Sequence, residues 1–310
     1  MILNKPYVKP QKQFRKNNSA GKAPSIISTA SWKKTMRLNV NNAAKDKKEV
    51  IFATTGGKEF NPKLPAIIFL HCAGADHSIW YLQTRYFAYH GYSTLAIDFP
   101  GHGRSEGECI KSIEDMADWI SDVITSVGYK EASLIGHSQG CLVLIECASR
   151  YPEKIKSLSL MGGASAIPMN PELLSLAEDG NNKAVDLMMD WAHGPGGHFG
   201  GHPVPGLHHM NLGGTIVKNG SVKVLGVDFR ACDNYKNGLD AAKNVKCPTI
   251  NILGDKDKMC PLKEGKKLAQ AIDNSEVEVI KNCGHMILLE EADQALSVLK
   301  GFIKENHPAN

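Results

Sequence analysis

Ser138 stands between two glycines in Gly136-His137-Ser138-Gln139-Gly140, after the apolar run "ASLI" and before the apolar segment "CLVLIECAS". Strand, sharp turn, helix is the context in which a serine can be presented as a nucleophile. The glycines leave room for a strained turn, and the start of the helix places its positive end beside any negative charge that develops. A hydroxyl is a poor nucleophile until a base takes its proton. Among 12 histidines, His285 is the best placed. It lies in "NCGHM", after the strand-like "EVEVI" and before the last helical segment. His137, inside the elbow, is expected to project away from the reacting edge. The base in turn needs a carboxylate to hold its ring and stabilise the imidazolium. "ILGDKDKMCP" offers Asp255 and Asp257. Asp257 is favoured because it sits further from the strand end, where the loop can turn toward His285. The loop after "KSLSLM" is another position for such an acid, but it reads "GGASA" and holds no carboxylate.

These residues need a scaffold that brings three loops to one edge. "MRLNV" and "KEVIFATT" alternate apolar and polar residues and read as opening antiparallel strands. From residue 66 onward, short apolar runs ("AIIFL", "STLAID", "ASLIG", "KSLSLM", "PTINILG", "EVEVI") alternate with amphipathic helical segments. Runs of this kind suit strands buried on both faces. The alternation predicts an α/β fold with a mostly parallel, doubly wound sheet. Ser112 opens a capping box with Asp115. Between "LSLMGG" and "KCPTINILG" the rhythm breaks for about 80 residues, far more than one crossover needs. The expected organisation is an arm over 1–34, a core over 35–163 and 244–310, and an inserted helical cap or lid over 164–243.

"FLHCAGADHSIW", "LAIDFPGHGRSEG", "LIGHSQG", "LGDKDKMCP" and "NCGHMILLE", in this order, resemble the successive signature segments of the α/β-hydrolase superfamily. The resemblance runs from residue 66 to 304. It implies a Ser-His-Asp hydrolase with a helical cap after the sixth strand, no cofactor and no metal. It also implies an oxyanion hole made by the backbone N–H groups of Ala73 and Gln139, although His71-Cys72 stands where the family usually has His-Gly. Asp98, His102, Gly103 and Ser105 are expected to fix the loop after the fourth strand. The expected reaction is hydrolysis of a small or medium acyl compound, foremost a carboxylic ester, through an acyl-enzyme. The same residues are compatible with C–C bond hydrolysis, acyl transfer or perhydrolysis, or with a ligand sensor of little turnover. Serine rather than aspartate at the elbow disfavours dehalogenase and epoxide hydrolase chemistry.

In the cap, "HGPGGHFGGHPVPGLHH" carries five histidines, six glycines and three prolines. Its irregular spacing and lack of carboxylate or thiol argue for a glycine-hinged lid rather than a metal site. Met188, Trp191, Phe199 and Met210 are the expected pocket residues. The chain of 310 residues, 42% hydrophobic and 22% charged, is globular in composition. Ten of its Lys and Arg fall in residues 1–45, which hold no acid, leaving 26 basic against 32 acidic residues in the rest. The body is therefore mildly acidic, which speaks against a nucleic-acid partner. The basic start reads as a solvated arm. No apolar run is long enough to span a bilayer and no secretory h-region is evident. A cytoplasmic protein with reduced cysteines is expected. The partner is a small-molecule acyl substrate, and nothing in the chain sets its oligomeric state.

Overall fold

The computed structural model describes residues 35–42, 47–198 and 208–309. The sheet has eight strands: β1 (Thr35–Asn42), β2 (Lys47–Thr54), β3 (Ala66–Leu70), β4 (Ser93–Ile97), β5 (Ala132–His137), β6 (Ile155–Met161), β7 (Thr249–Gly254) and β8 (Ser275–Ile280). Their spatial order is β1-β2-β4-β3-β5-β6-β7-β8. β1 and β2 pair antiparallel and β2 meets β4 antiparallel, while the pairs from β4 through β8 are all parallel. Every residue of β3, β4, β5 and β7 is buried, as their short, mostly apolar runs predict.

β8 departs from that expectation. It is the edge strand, and Glu276, Val277 and Glu278 are exposed. Because successive side chains alternate faces, both faces are wet along this stretch, and its charges discourage edge-to-edge pairing.

Helices α1 (Tyr81–Tyr89), α2 (Ile113–Ser126) and α3 (Gln139–Arg150) connect the first parallel strands. Ser112 caps α2, its Oγ accepting from Asp115 N at 3.1 Å. Between β6 and β7 lie α4 (Pro171–Glu178), α5 (Lys183–Ala192), α6 (Pro195–His198), α7 (His209–Asn219), α8 (Val222–Asn234) and α9 (Gly238–Asn244). α10 (Leu262–Gln270), α11 (Ile287–Glu290) and α12 (Ala292–Asn306) complete the chain. Two apolar clusters cover the two faces of the sheet. One is built with α2 and α3, the other with α1 and α12. A third, centred on Leu173, Val185, Met188, Leu225 and Phe229, belongs to the insertion. None of the described helices is long and apolar enough to cross a membrane. The arm over residues 1–34 lies outside the described residues. All eight cysteines are free thiols.

Candidate active site

Ser138 follows β5 directly and caps α3 with φ 55° and ψ −116°. Among the described residues only Ser138 and Asn282 combine a side chain with positive φ. Such a conformation costs energy and persists only where the surroundings enforce it. Here its two neighbouring glycines permit the turn. A Cβ on Gly136 would stand 2.8 Å from the Gly140 carbonyl carbon, and one on Gly140 would stand 2.9 Å from Leu70 O. Helix α3 thus starts in contact with the end of β3.

His285 lies on the loop after β8, and Asp257 on the loop after β7. All three loops leave the carboxyl ends of parallel strands, the edge at which such sheets place their chemistry. His285 Nδ1 is 2.8 Å from Asp257 Oδ2. The other carboxylate oxygen, Oδ1, accepts from Met259 N and Cys260 N, both at 2.8 Å. Two fixed amides therefore aim the carboxylate at the imidazole. His285 Nε2 is buried with no hydrogen-bond partner among the described residues. Asp255 instead turns toward Lys256, 3.9 Å away. The loop after β6, "GGASA", has a steric reason for its glycine. Gly162 has φ +59°, and a Cβ there would press within 3.2 Å of the His285 ring.

Ser138 and His285 line one cavity with Cys72, Ala73, Ala75, Ile79, Met188, Met189, Ala192, Gly213, Val217, Phe229, Met259 and Met286. About 400 Å³ of atom-free space, part of it open to solvent, lies among these residues, so the enclosed part is small. Among the described residues, every lining side chain apart from Ser138 and His285 is apolar. Ala73 is among the lining residues. Gln139 opens α3, so its amide has no acceptor within the helix. Burial pushes the Cys72 thiol up to about 12, which leaves it protonated at neutral pH.

Of the four expected pocket residues, Met188 lines the cavity and Phe199 lies outside the described residues. Trp191 and Met210 do not line it and are only half-buried on the insertion's apolar cluster. On α5 the buried stripe is Val185, Met188, Met189 and Ala192, with helical spacing, and Trp191 falls off it. Met210 stands one turn before Gly213, which with Val217 is the part of α7 that reaches the cavity.

Sequence reasoning missed two supports of the histidine. His137 does not project away from the reacting edge. It is fully buried beneath His285, ring centroids 4.8 Å apart, and its Nε2–H donates to His285 O at 2.9 Å. The insertion supplies the second support. His285 N and Met286 N both donate to Ala192 O, at 2.6 and 3.1 Å, at the end of α5. Gly194 N and Gly284 N both donate to Glu290 Oε2. No periodicity marks the contacts of His137, Ala192 and Gly194 in the chain, because each joins segments more than 90 residues apart.

The loop after β4 behaves as expected. Asp98 Oδ1 accepts from His77 N and faces His77 Nδ1, both at 2.7 Å, and Oδ2 accepts from Arg104 N at 2.9 Å. A Cβ on Gly103 would collide with that carboxylate, and Ser105 Oγ donates to Asp98 O. Asp76, His77 and Asp98 bring ligand-type atoms within 4.8 Å of one another. Their polar atoms already serve this network, Asp76 Oδ1 accepting from Ser78 N at 2.8 Å, so the cluster reads as loop architecture.

The buried histidines make stability depend on pH. Burial and the nearby His102 lower His71 to about 4, and burial and His285 lower His137 to about 3. Burial also lowers His193 and His307. From pH 6.5 down to about 4 the unfolded chain binds protons that folded His71 and His137 refuse. Stability therefore falls on acidification, by up to about 1.4 kcal/mol per pH unit for each of these two, with His193 and His307 acting in the same direction. Glu290, raised by burial, works the other way with a single group. His102, raised overall, contributes stability that is complete below pH 6.5 and is lost as pH climbs through its folded value. Urea midpoints across pH 4–6.5 should fall with acid, and His137→Gln should flatten the slope. A flat wild-type profile would show that these rings do not stay neutral.

A family model described as "Alpha/beta hydrolase family" matches residues 67–297. The chain is 28% identical over 268 residues to a 2-hydroxy-6-oxononadienedioate/2-hydroxy-6-oxononatrienedioate hydrolase of Paraburkholderia phymatum, covering 81% of this chain and 88% of that one. It is 25% identical to the monoacylglycerol lipase ABHD6 of Mus musculus, covering 89% and 85%. Its fold superimposes on a thermophilic esterase from Thermogutta terrifontis with a TM-score of 0.76 at 18% identity, covering 88% and 99%.

Proposed function

This chain belongs to the alpha/beta hydrolase family and is a hydrolase, and from that premise we propose that it cleaves carboxylic esters with short, uncharged acyl groups through a Ser138-His285-Asp257 triad. The observation that carries the reading is a single cavity lined by Ser138 and by His285, with His285 Nδ1 held by Asp257 and Nε2 unpartnered among the described residues.

In this mechanism Ser138 Oγ attacks the ester carbonyl carbon as its proton passes to His285 Nε2. Asp257 fixes the ring with Nδ1 protonated and stabilises the imidazolium. The carbonyl oxygen becomes an oxyanion that accepts from the N–H groups of Ala73 and Gln139. Collapse breaks the bond to the alkoxy oxygen, which takes the proton from Nε2 and leaves as the alcohol. Water then repeats the sequence on the acyl-enzyme. His285 removes its proton, and the carboxylic acid leaves as Ser138 regains its hydrogen. The sum is ester plus water to acid plus alcohol, with no redox step.

The lining supports the uncharged acyl group. A dicarboxylate, such as the substrate named for the Paraburkholderia relative, would put a second carboxylate against methionines, alanines and Phe229, with no basic partner among the described lining residues but the triad histidine. Burying an unpaired carboxylate is costly, so a succinate monoester should be turned over on the order of 10²-fold less efficiently in kcat/KM than the matching butyrate ester. The small volume predicts that p-nitrophenyl acetate and butyrate exceed the octanoate. Four methionines let the cavity adapt by a methylene or two rather than by a long chain. A panel of p-nitrophenyl esters tests both points. Preference for the succinate monoester, or for C–C cleavage of a dienedioate, would overturn the reading. Fluorophosphonate labelling mapped to Ser138 tests the nucleophile itself.

A further inference from the structure

We propose that Asp228, on α8 of the insertion, is a positioning residue that holds both halves of the oxyanion hole, with His102 as its counter-charge. The inference rests on the serine hydrolase reading above and adds a residue that acts on the reaction only through others.

The contacts converge on one residue. Asp228 Oδ2 accepts from Gly74 N at 2.7 Å, and Gly74 directly follows Ala73. The backbone oxygen of Asp228 accepts from Gln139 Nε2 at 3.4 Å. One residue of the insertion therefore grips the segment carrying the Ala73 amide and the side chain of the residue carrying the other amide. The next residue, Phe229, lines the cavity. Within the loop, Ala75 N donates to Cys72 O at 3.2 Å. Of the amides of 73, 74 and 75, two are thus committed, and that of Ala73 is left for substrate. Gly74 has φ +67°, and a Cβ there would come 2.8 Å from Leu225 Cδ1 of α8, so the loop is pressed against the same helix that bonds it.

The charge is balanced locally. His102 Nε2 is 2.9 Å from Asp228 Oδ2, and His102 Nδ1 is 3.0 Å from Pro100 O. Both ring nitrogens face acceptors, so both carry hydrogen and the ring is an imidazolium. Burial opposes that charge, but the carboxylate outweighs it and leaves the histidine raised. Burial likewise opposes ionisation of Asp228, and His102 with the Gly74 amide holds it below the ordinary range. Both side chains are essentially inaccessible. A buried ion pair is weak evidence for stability, since apolar packing of similar volume often does as well. What apolar packing cannot do is accept the Gly74 N–H and fix the turn that aims its neighbour.

The double variant His102→Phe/Asp228→Leu separates the two roles. It keeps a planar ring at 102 and a branched side chain at 228, at somewhat larger volume, while removing both charges and the acceptor. We expect a folded protein whose kcat for p-nitrophenyl butyrate falls on the order of 10²-fold, the scale of losing one oxyanion donor, with KM within about threefold. The affinity of butylboronic acid, which forms a tetrahedral adduct on Ser138, should fall by a similar factor. Asp228→Asn, whose amide oxygen can still accept from Gly74, should recover most of the loss and stay within about tenfold of wild type. Unchanged kcat in the folded double variant, or equal losses in kcat, in KM and in thermal midpoint for both variants, would overturn the inference. If the double variant does not fold, Asp228→Ala, which removes the acceptor of the Gly74 amide outright, decides. A several-fold drop in kcat and boronate affinity at constant KM supports positioning, and wild-type values refute it. A wild-type chain that neither hydrolyses the ester nor labels at Ser138 removes the hydrolase reading and this inference with it. Wild-type activity with indifferent variants removes only the inference.

Discussion

Ser138→Ala is expected to lower kcat for a short-chain ester by about 10⁶, the loss seen when a triad nucleophile is removed. The size follows from the chemistry. Without Oγ there is no acyl-enzyme, and water must attack an ester that is merely bound. The residual rate comes from the oxyanion donors and from binding. The fold should be spared. Ser138 adopts φ 55° because the β5–α3 joint demands it, and alanine is no worse than serine at that angle. Equal thermal midpoints with a collapse in kcat give the expected result, and binding of the ester should persist with little change. Hydrolysis at the wild-type rate would exclude Ser138 as the nucleophile whatever the state of the remaining residues.

The second large effect is at Asp257. Asp257→Asn should reduce kcat by about 10⁴, through the tautomer rather than through packing. The substituted side chain is nearly isosteric, and its oxygen could still accept from Met259 N and Cys260 N, as Asp257 Oδ1 does now. Its NH₂ would then face His285 Nδ1, which must become an acceptor. The proton moves to Nε2, the atom that has to be free to take hydrogen from Ser138. Asp255→Asn is the matched control. Its carboxylate faces Lys256 and not the imidazole, so activity should stay within a few-fold. If Asp255→Asn abolished turnover and Asp257→Asn did not, the acid would have been assigned to the wrong residue of this loop. Asp257→Asn should also slow fluorophosphonate labelling of Ser138, because the reagent reads the same proton transfer.

Much of this was legible in the chain because it is local. Short, mostly apolar runs mark strands covered on both sides, and β3, β4, β5 and β7 have that burial. The glycines around Ser138 are needed for contacts within a strand-turn-helix unit, so sequence context announces them. The Asp255/Asp257 choice could only be narrowed, because both lie in one loop and the deciding fact is where that loop turns. The pocket was less readable. α5 has one buried stripe, and Met188 lies on it while Trp191 does not, yet both are large apolar residues that composition treats alike. β8 reads as a strand by its Val-Glu alternation, but only its place at the sheet edge leaves it wet.

By itself, the order of short apolar runs, loops and amphipathic segments determined an α/β sheet whose carboxyl edge gathers Ser138, His285 and the Asp255/Asp257 loop, since strand burial and turn sterics act over a few residues. The tertiary structure alone decided that His137 lies under the His285 ring, that Ala192 accepts from the His285 amide, and that Asp228 reaches Gly74, Gln139 and His102. These contacts join segments 89 to 154 positions apart, or press two buried rings together. Nothing in the covalent neighbourhood of a carboxylate on a helix says which amide it will meet when that helix folds back over the sheet. That meeting is set by packing, by the need to pair a buried charge, and by the space a glycine leaves for another backbone to approach.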